Sequence, residues 1–122
     1  MKENKNRVPL QISNGAVIVP IRYEVTRDML DLLRSDLLQF IASHSAHAVV
    51  FDLKGIEVLD GDDFADLQKI LKMINIMGLR SIICGLSAGV VATLVSLGVD
   101  TNGIPTAFDL NQALAMLAQN KR

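Results

Sequence analysis

The sequence predicts an α/β domain: a mixed, mostly parallel β-sheet of about five strands carrying four helices. Two observations predict it. Short apolar segments that suit strands alternate with longer ones whose apolar residues recur at three- and four-residue steps, the pattern of parallel strands joined by crossover helices. The segment HAVVFDL, residues 47–53, also sets Val49, Val50 and Phe51 side by side without clean alternation, as expected of a strand covered on both faces. The order reads β-β-α-β-α-β-α-β-α with no linker or internal repeat, so residues 1–122 are expected to form one domain.

Each element has its own signal. VPLQI (8–12) and AVIVP (16–20) read as two strands around Asn14-Gly15, a dipeptide suited to a tight hairpin. Thr26 is a candidate N-cap for the first helix, which runs to Ser43. Its apolar stripe is Met29, Leu30, Leu33, Leu37, Phe40 and Ile41, with Asp31, Arg34 and Asp36 toward water. After the strand at 47–53 comes a second helix with Phe64, Leu67, Leu71 and Ile74 on one stripe and Ile70 beside it, stopped by Gly78. RSIICG (80–85) is the next strand. Ser87 caps a third helix, AGVVATLVSLG, that ends at Gly98. A short strand near Ile104–Phe108 leads to Asp109, the cap of a fourth helix, LNQALAMLAQ.

Composition narrows the function. Half the residues are apolar and a fifth are charged, the balance of a globular chain. A formal charge of −1 with scattered Lys and Arg gives no footprint for nucleic acid. No apolar run reaches the length of a membrane span, since the longest, around 82–99, is broken by Gly85, Ser87, Gly89, Thr93, Ser96 and Gly98. MKENKNRVPL lacks the apolar core of a signal peptide, and a lone Cys84 excludes an intrachain disulfide and fits the cytoplasm. The surplus of Leu, Ile, Val, Ala and Met over aromatic residues points to an apolar surface shared with a partner or a second copy.

The densest candidate for chemistry is Asp60-Gly61-Asp62-Asp63, between the 47–53 strand and the second helix. Three carboxylates can serve acid–base catalysis or bind a metal. Yet the calcium-loop spacing is missing, and His44 and His47 have no further ligand placed to close a zinc site. The plainer account is that Asp60 caps the helix while Asp62 and Asp63 complement its N-terminal dipole. Cys84 lies in an apolar strand, as an inert thiol does. Neither GxxxxGK[ST] nor GxGxxG occurs, so no phosphate cradle is expected. GLSAG (85–89) has the form of a hydrolase elbow, but both histidines precede it, and Ser87 reads better as a cap. From the residues alone, no enzyme, metal or cofactor is expected.

Four segments carry a resemblance: VVFDLKGIEVLDG (49–61), MINIMGLRSIICGL (73–86), VVATLVSLGVD (90–100) and TAFDLNQALAML (106–117), with VPLQISNGAVIVPI ahead of them. Together they resemble the STAS domain of anti-sigma-factor antagonists, and within that family the RsbS branch of small bacterial stressosome scaffolds. The likeness implies the STAS fold and a non-enzymatic protein-binding module in the cytoplasm. It implies co-assembly with RsbR-type STAS paralogues into a homo-oligomer or large hetero-assembly, and sequestration of an RsbT-type serine-protein kinase.

The family pattern places a phosphorylatable serine after the aspartate at the start of the second helix. Here the aspartate stands as Asp60, but the serine position is Gly61, and no Ser, Thr or Tyr occurs from residue 46 to residue 80. Three readings follow: the loop is not switched by phosphate, Asp62 and Asp63 supply a fixed negative charge in its place, or the glycine is an introduced change that locks the state. The resemblance implies a regulatory loop at Asp60, Gly61, Asp62 and Asp63, with Phe64, Asp66 and Lys69 meeting the partner. A STAS module that binds a small ligand such as a nucleotide is the alternative.

Overall fold

The computed structural model describes residues 7–101 and 103–119; the leader reading of residues 1–6 lies outside them. Strands β1 (Gln11–Ser13) and β2 (Ala16–Pro20) form the hairpin. They are followed by α1 (Arg27–His44), β3 (Ala48–Asp52), α2 (Gly61–Ile76), β4 (Arg80–Cys84), α3 (Ala88–Ser96), β5 (Thr106–Ala107) and α4 (Leu110–Gln119). The strands lie in sequence order in one five-stranded sheet, with β1 antiparallel to β2 and the other pairs parallel. The expected mixed, mostly parallel α/β architecture is the one observed.

Register sorts the side chains. Ala16, Ala48 and Arg80 are aligned across β2, β3 and β4, so odd-numbered residues of these strands share one face and even-numbered residues the other. The odd face carries Val17, Val19, Val49, Phe51 and Ile83, which pack under the buried stripes of α1, α2 and α3. The even face carries Ala16, Ala48, Val50, Ile82 and Cys84 under Ala113 and Leu117 of α4. Both faces of β3 are therefore covered, which accounts for its unbroken apolar run. Phe40 is the one member of the α1 stripe left half-buried; its ring stacks on His44 with centroids 3.9 Å apart.

The edge strands are shorter than their sequence patterns. β1 begins only at Gln11, because Pro9 has no N–H to give a ladder; Val8 and Leu10 still pack against the larger core. β5 holds two residues. Pro105 precedes it, offering only its carbonyl to Ile83 N at 3.0 Å, and Phe108 N turns to the Gln112 side chain instead of extending the ladder. Four side-chain oxygens cap helices as expected: Thr26, Asp60, Ser87 and Asp109 each accept from the backbone N–H three residues on.

The hairpin turn has Asn14 and Gly15 at φ 52° and 82°, both in the left-handed region. The His47 ring lies over this turn and donates from Nε2 to the Asn14 carbonyl at 3.0 Å, so a Cβ on Gly15 would stand 2.4 Å from that ring. Gly15→Ala is therefore expected to cost about 1–3 kcal/mol. Adding His47→Ala should recover part of that loss, since the clash goes while the backbone strain stays. Urea denaturation of the two variants measures both effects, and equal stability of Gly15→Ala and the parent would contradict the packing described.

Candidate functional site

The carboxyl ends of the parallel strands open onto the start of α2. The connection from β3 is pinned by Leu53, Ile56 and Leu59, all buried, while Lys54, Gly55, Glu57, Val58 and Asp60 face water. Asp52 closes β3 and is itself buried. Its Oδ2 accepts from Arg22 Nη2 at 3.0 Å and its Oδ1 from Lys54 N at 3.1 Å. Arg22 also donates from Nη1 to the Asp52 and Lys54 carbonyls, so one guanidinium fastens the exit of β3. Gly85 packs against this corner with φ 82°, and a Cβ there would stand 2.8 Å from Lys54 N. No local sequence signal pairs Arg22 with Asp52, although a carboxylate ending the apolar run AVVFD is itself the clue.

At the helix start, Asp60 Oδ1 accepts from Asp63 N at 2.8 Å and the Asp60 carbonyl accepts from Phe64 N at 3.0 Å. Asp60 and Asp62 are exposed and Asp63 is half-exposed. Burial, then the charge of Asp60 and a hydrogen bond to it, then the charges of Asp66 and Asp62, raise the Asp63 carboxyl above its ordinary range. Burial leads and the neighbouring carboxylates add to it, against the attraction that a helix N-terminus offers a carboxylate. Among the described residues no three His, Cys, Asp or Glu side chains are placed to hold a metal ion.

Gly61 is half-buried and is not in the left-handed region. A Cβ there would lie 3.5 Å from Val99 Cγ2, an ordinary contact. The backbone therefore does not require glycine at this position. The same contact brings the segment after α3 against α2, and Gln68 Nε2 donates to the Asp100 carbonyl at 3.1 Å about two turns further along.

Phe64, expected at the partner surface, is corrected by the structure: it is 1% exposed and belongs to the core. As the first residue of the α2 apolar stripe it points inward. Asp66 and Lys69 stay on the surface but lie further along α2, in a polar groove shared with Arg27, Asp31 and Arg34 of α1. There Asp66 pairs with Arg27 at 3.5 Å and with Lys69 at 3.7 Å.

A separate cavity of about 390 Å³ lies between β4, β5 and α3, lined by Phe64, Leu86, Val91, Leu94, Thr101 and Phe108 among others. No Lys or Arg lines it, so it gives a phosphate no countercharge. Cys84 is fully buried; burial, then the Asp52 and Asp109 charges and a hydrogen bond to Asp52, push its thiol up to about 12 against a small opposite pull from Arg22. It stays protonated and unreactive at neutral pH. Ser87 is occupied as the α3 cap, accepting from Val90 N at 3.1 Å.

Comparison with known proteins bears on this arrangement. The STAS domain family model matches residues 7–113. The chain belongs to the STAS domain family. Among solved structures it superposes on a serine-to-glutamate variant of RsbS from Moorella thermoacetica with a TM-score of 0.78 and 25% identity, covering 92% of this chain and 95% of that one. It superposes on a chain of the stressosome, described as a signal integration and transduction hub, with a TM-score of 0.76 and 23% identity, covering 91% and 96%. The RsbT co-antagonist protein RsbRB of Bacillus subtilis (strain 168) is 25% identical over 105 residues, 86% of this chain. This STAS domain spans 38% of the length of that relative. Its fold is that of anti-sigma-factor antagonists, and its similarities lie with stressosome proteins. Among the described residues no helix is long and apolar enough to cross a membrane.

Two outcomes follow from the geometry of the helix start. Asp60→Ala should lose about 1 kcal/mol by removing the cap, whereas Gly61→Ser should leave stability within about 0.5 kcal/mol of the parent; chemical denaturation compares them. For Asp63 the folded-state pKa is raised, so its ionisation disfavours the folded state. Stability falls as pH rises from the ordinary value of 3.8 through the raised one. Asp63→Asn should therefore melt above the parent at pH 7 and lose that advantage at pH 3, as thermal unfolding at the two pH values will show.

Proposed function

We propose that this STAS domain works without catalysis, as a cytoplasmic stressosome scaffold. It co-assembles with RsbR-type STAS paralogues and sequesters an RsbT-type serine-protein kinase. The observation that carries the reading is the exposed acidic start of α2, held rigidly by the Asp60 cap on a fold similar both to an RsbS variant and to an RsbT co-antagonist. The contact residues are Asp60, Asp62 and Asp63, with Asp66 and Lys69 at the margin. Phe64 supports them from the core.

Phosphate switching at residue 61 is absent in this scheme, since glycine offers no hydroxyl. The crowded carboxylates supply standing negative charge at the helix start. A carboxylate on Asp62 or Asp63 leaves the helix in a different direction from a side chain at 61, so the charge imitates a phosphate in sign and not in position.

Assembly tests the proposal. The purified chain, mixed with an RsbR-type paralogue and an RsbT-type kinase, is expected to co-elute with them in a large complex by size-exclusion chromatography with light scattering. The double variant Asp62→Lys, Asp63→Lys should release the kinase while keeping the paralogue. Failure of the parent chain to bind either protein would sink the proposal.

A further inference from the structure

Helix α2 shows water one continuous stripe along its whole length. Asp62, Ala65, Lys69, Lys72 and Ile76 are exposed, with Asp66 and Met73 half-exposed between them. These are the three- and four-residue steps that set side chains on one face. The stripe is divided by charge: residues 61–68 contain no Lys or Arg, and residues 69–76 contain no Asp or Glu. A large apolar side chain marks each end. Val58, two residues ahead of the Asp60 cap, is 79% exposed, and Ile76, the last helical residue, is 80% exposed. No other described helix has this division. Arg27, Asp28, Asp31 and Arg34 mix their signs along α1, while α3 and α4 carry no charged residue.

The helix dipole does not account for the pattern. Its pull is confined to the end turns, and the last turn of α2 holds no basic residue. Nor does it give a reason for the two exposed apolar ends. A face that is acidic in one half and basic in the other is complementary to itself when reversed. We infer that this face is the contact between two copies of the chain, their α2 helices packed antiparallel across a two-fold axis near residue 67. In that register Asp62 of each copy stands opposite Lys72 of the other, and Lys69 comes beside Ala65 and Asp66. The Val58 end of each copy meets the Ile76 end of the other. Each pairing occurs twice, because a two-fold contact is isologous. Ala65, the smallest side chain of the stripe, lies near the axis and lets the helices approach.

The two charges at the ends of this register are available for it. Among the described residues Asp62 and Lys72 form no ion pair within the chain, whereas Asp66 is already engaged with Arg27 and Lys69. Exposed ion pairs contribute little each and are screened by salt. The dimer is therefore weak, concentration-dependent and salt-sensitive. The inference concerns the chain by itself and does not rest on the kinase reading. Asp62 belongs to both surfaces, so a second copy and the kinase exclude each other at the acidic end of α2.

Sedimentation equilibrium of the purified full chain, over a range of concentrations at low and high salt, tests it. The parent should approach the mass of a dimer as concentration rises, and less readily in high salt. Asp62→Lys and Lys72→Asp lie at exposed positions, and circular dichroism should show both folded. Each should weaken the dimer about tenfold, because each sets two like-charged pairs face to face. Mixed in equal amounts, the two variants should associate about as tightly as the parent does, since one copy then supplies both cations and the other both carboxylates. A dimer that neither substitution weakens lies on another surface and overturns the inference. A mixture no tighter than either variant alone overturns the antiparallel pairing. A parent that stays monomeric overturns the inference, whether or not an RsbR-type paralogue takes the face instead. The kinase partnership is measured separately, with the kinase present, and survives each of these failures.

Discussion

The parallel register of β2, β3 and β4 is the constraint on which the rest of the molecule depends. Ala16, Ala48 and Arg80 stand abreast, each 32 residues after the last, so the alternation of side chains is in phase across all three strands. A slip of one residue in β3 would exchange Phe51 and Val49 for Val50 and Ala48 beneath α1 and α2, burying small residues under a layer shaped for large ones. The same register brings Pro20, Asp52 and Cys84 to one edge, where Arg22, Lys54 and Gly85 close the corner. The acidic start of α2 is positioned from that edge.

Burial and charge divide the work there. Leu53, Ile56 and Leu59 anchor the connection in the core, so the residues between them are displayed without being loose. Asp52 is buried but fully engaged, which suits a structural carboxylate; Asp60, Asp62 and Asp63 crowd the head of α2, the first two exposed and the third half-exposed. Four aspartates close together in sequence thus serve two purposes, set by where the sheet ends.

Much of this was legible in the sequence because its signals are local. Thr26, Asp60, Ser87 and Asp109 each act within three residues, so cap and helix are read together. The edge strands were overextended because periodicity ignores the missing N–H of Pro9 and Pro105. Phe64 lies both on the apolar stripe that the periodicity predicts and in the partner surface that the resemblance implies; the stripe it shares with Leu67, Leu71 and Ile74 decides its place. Arg22 with Asp52, and Val99 with Gly61, are contacts between distant segments, and nothing in either segment alone announces the other.

The indifference of the backbone to residue 61 separates two properties that proteins often bind together. Folding draws nothing from the side chain there, neither a left-handed turn nor a filled cavity. The presence or absence of a hydroxyl at the head of α2 is therefore an independent variable. A STAS domain of this kind can gain or lose a hydroxyl there by a single substitution while its fold is inherited unchanged.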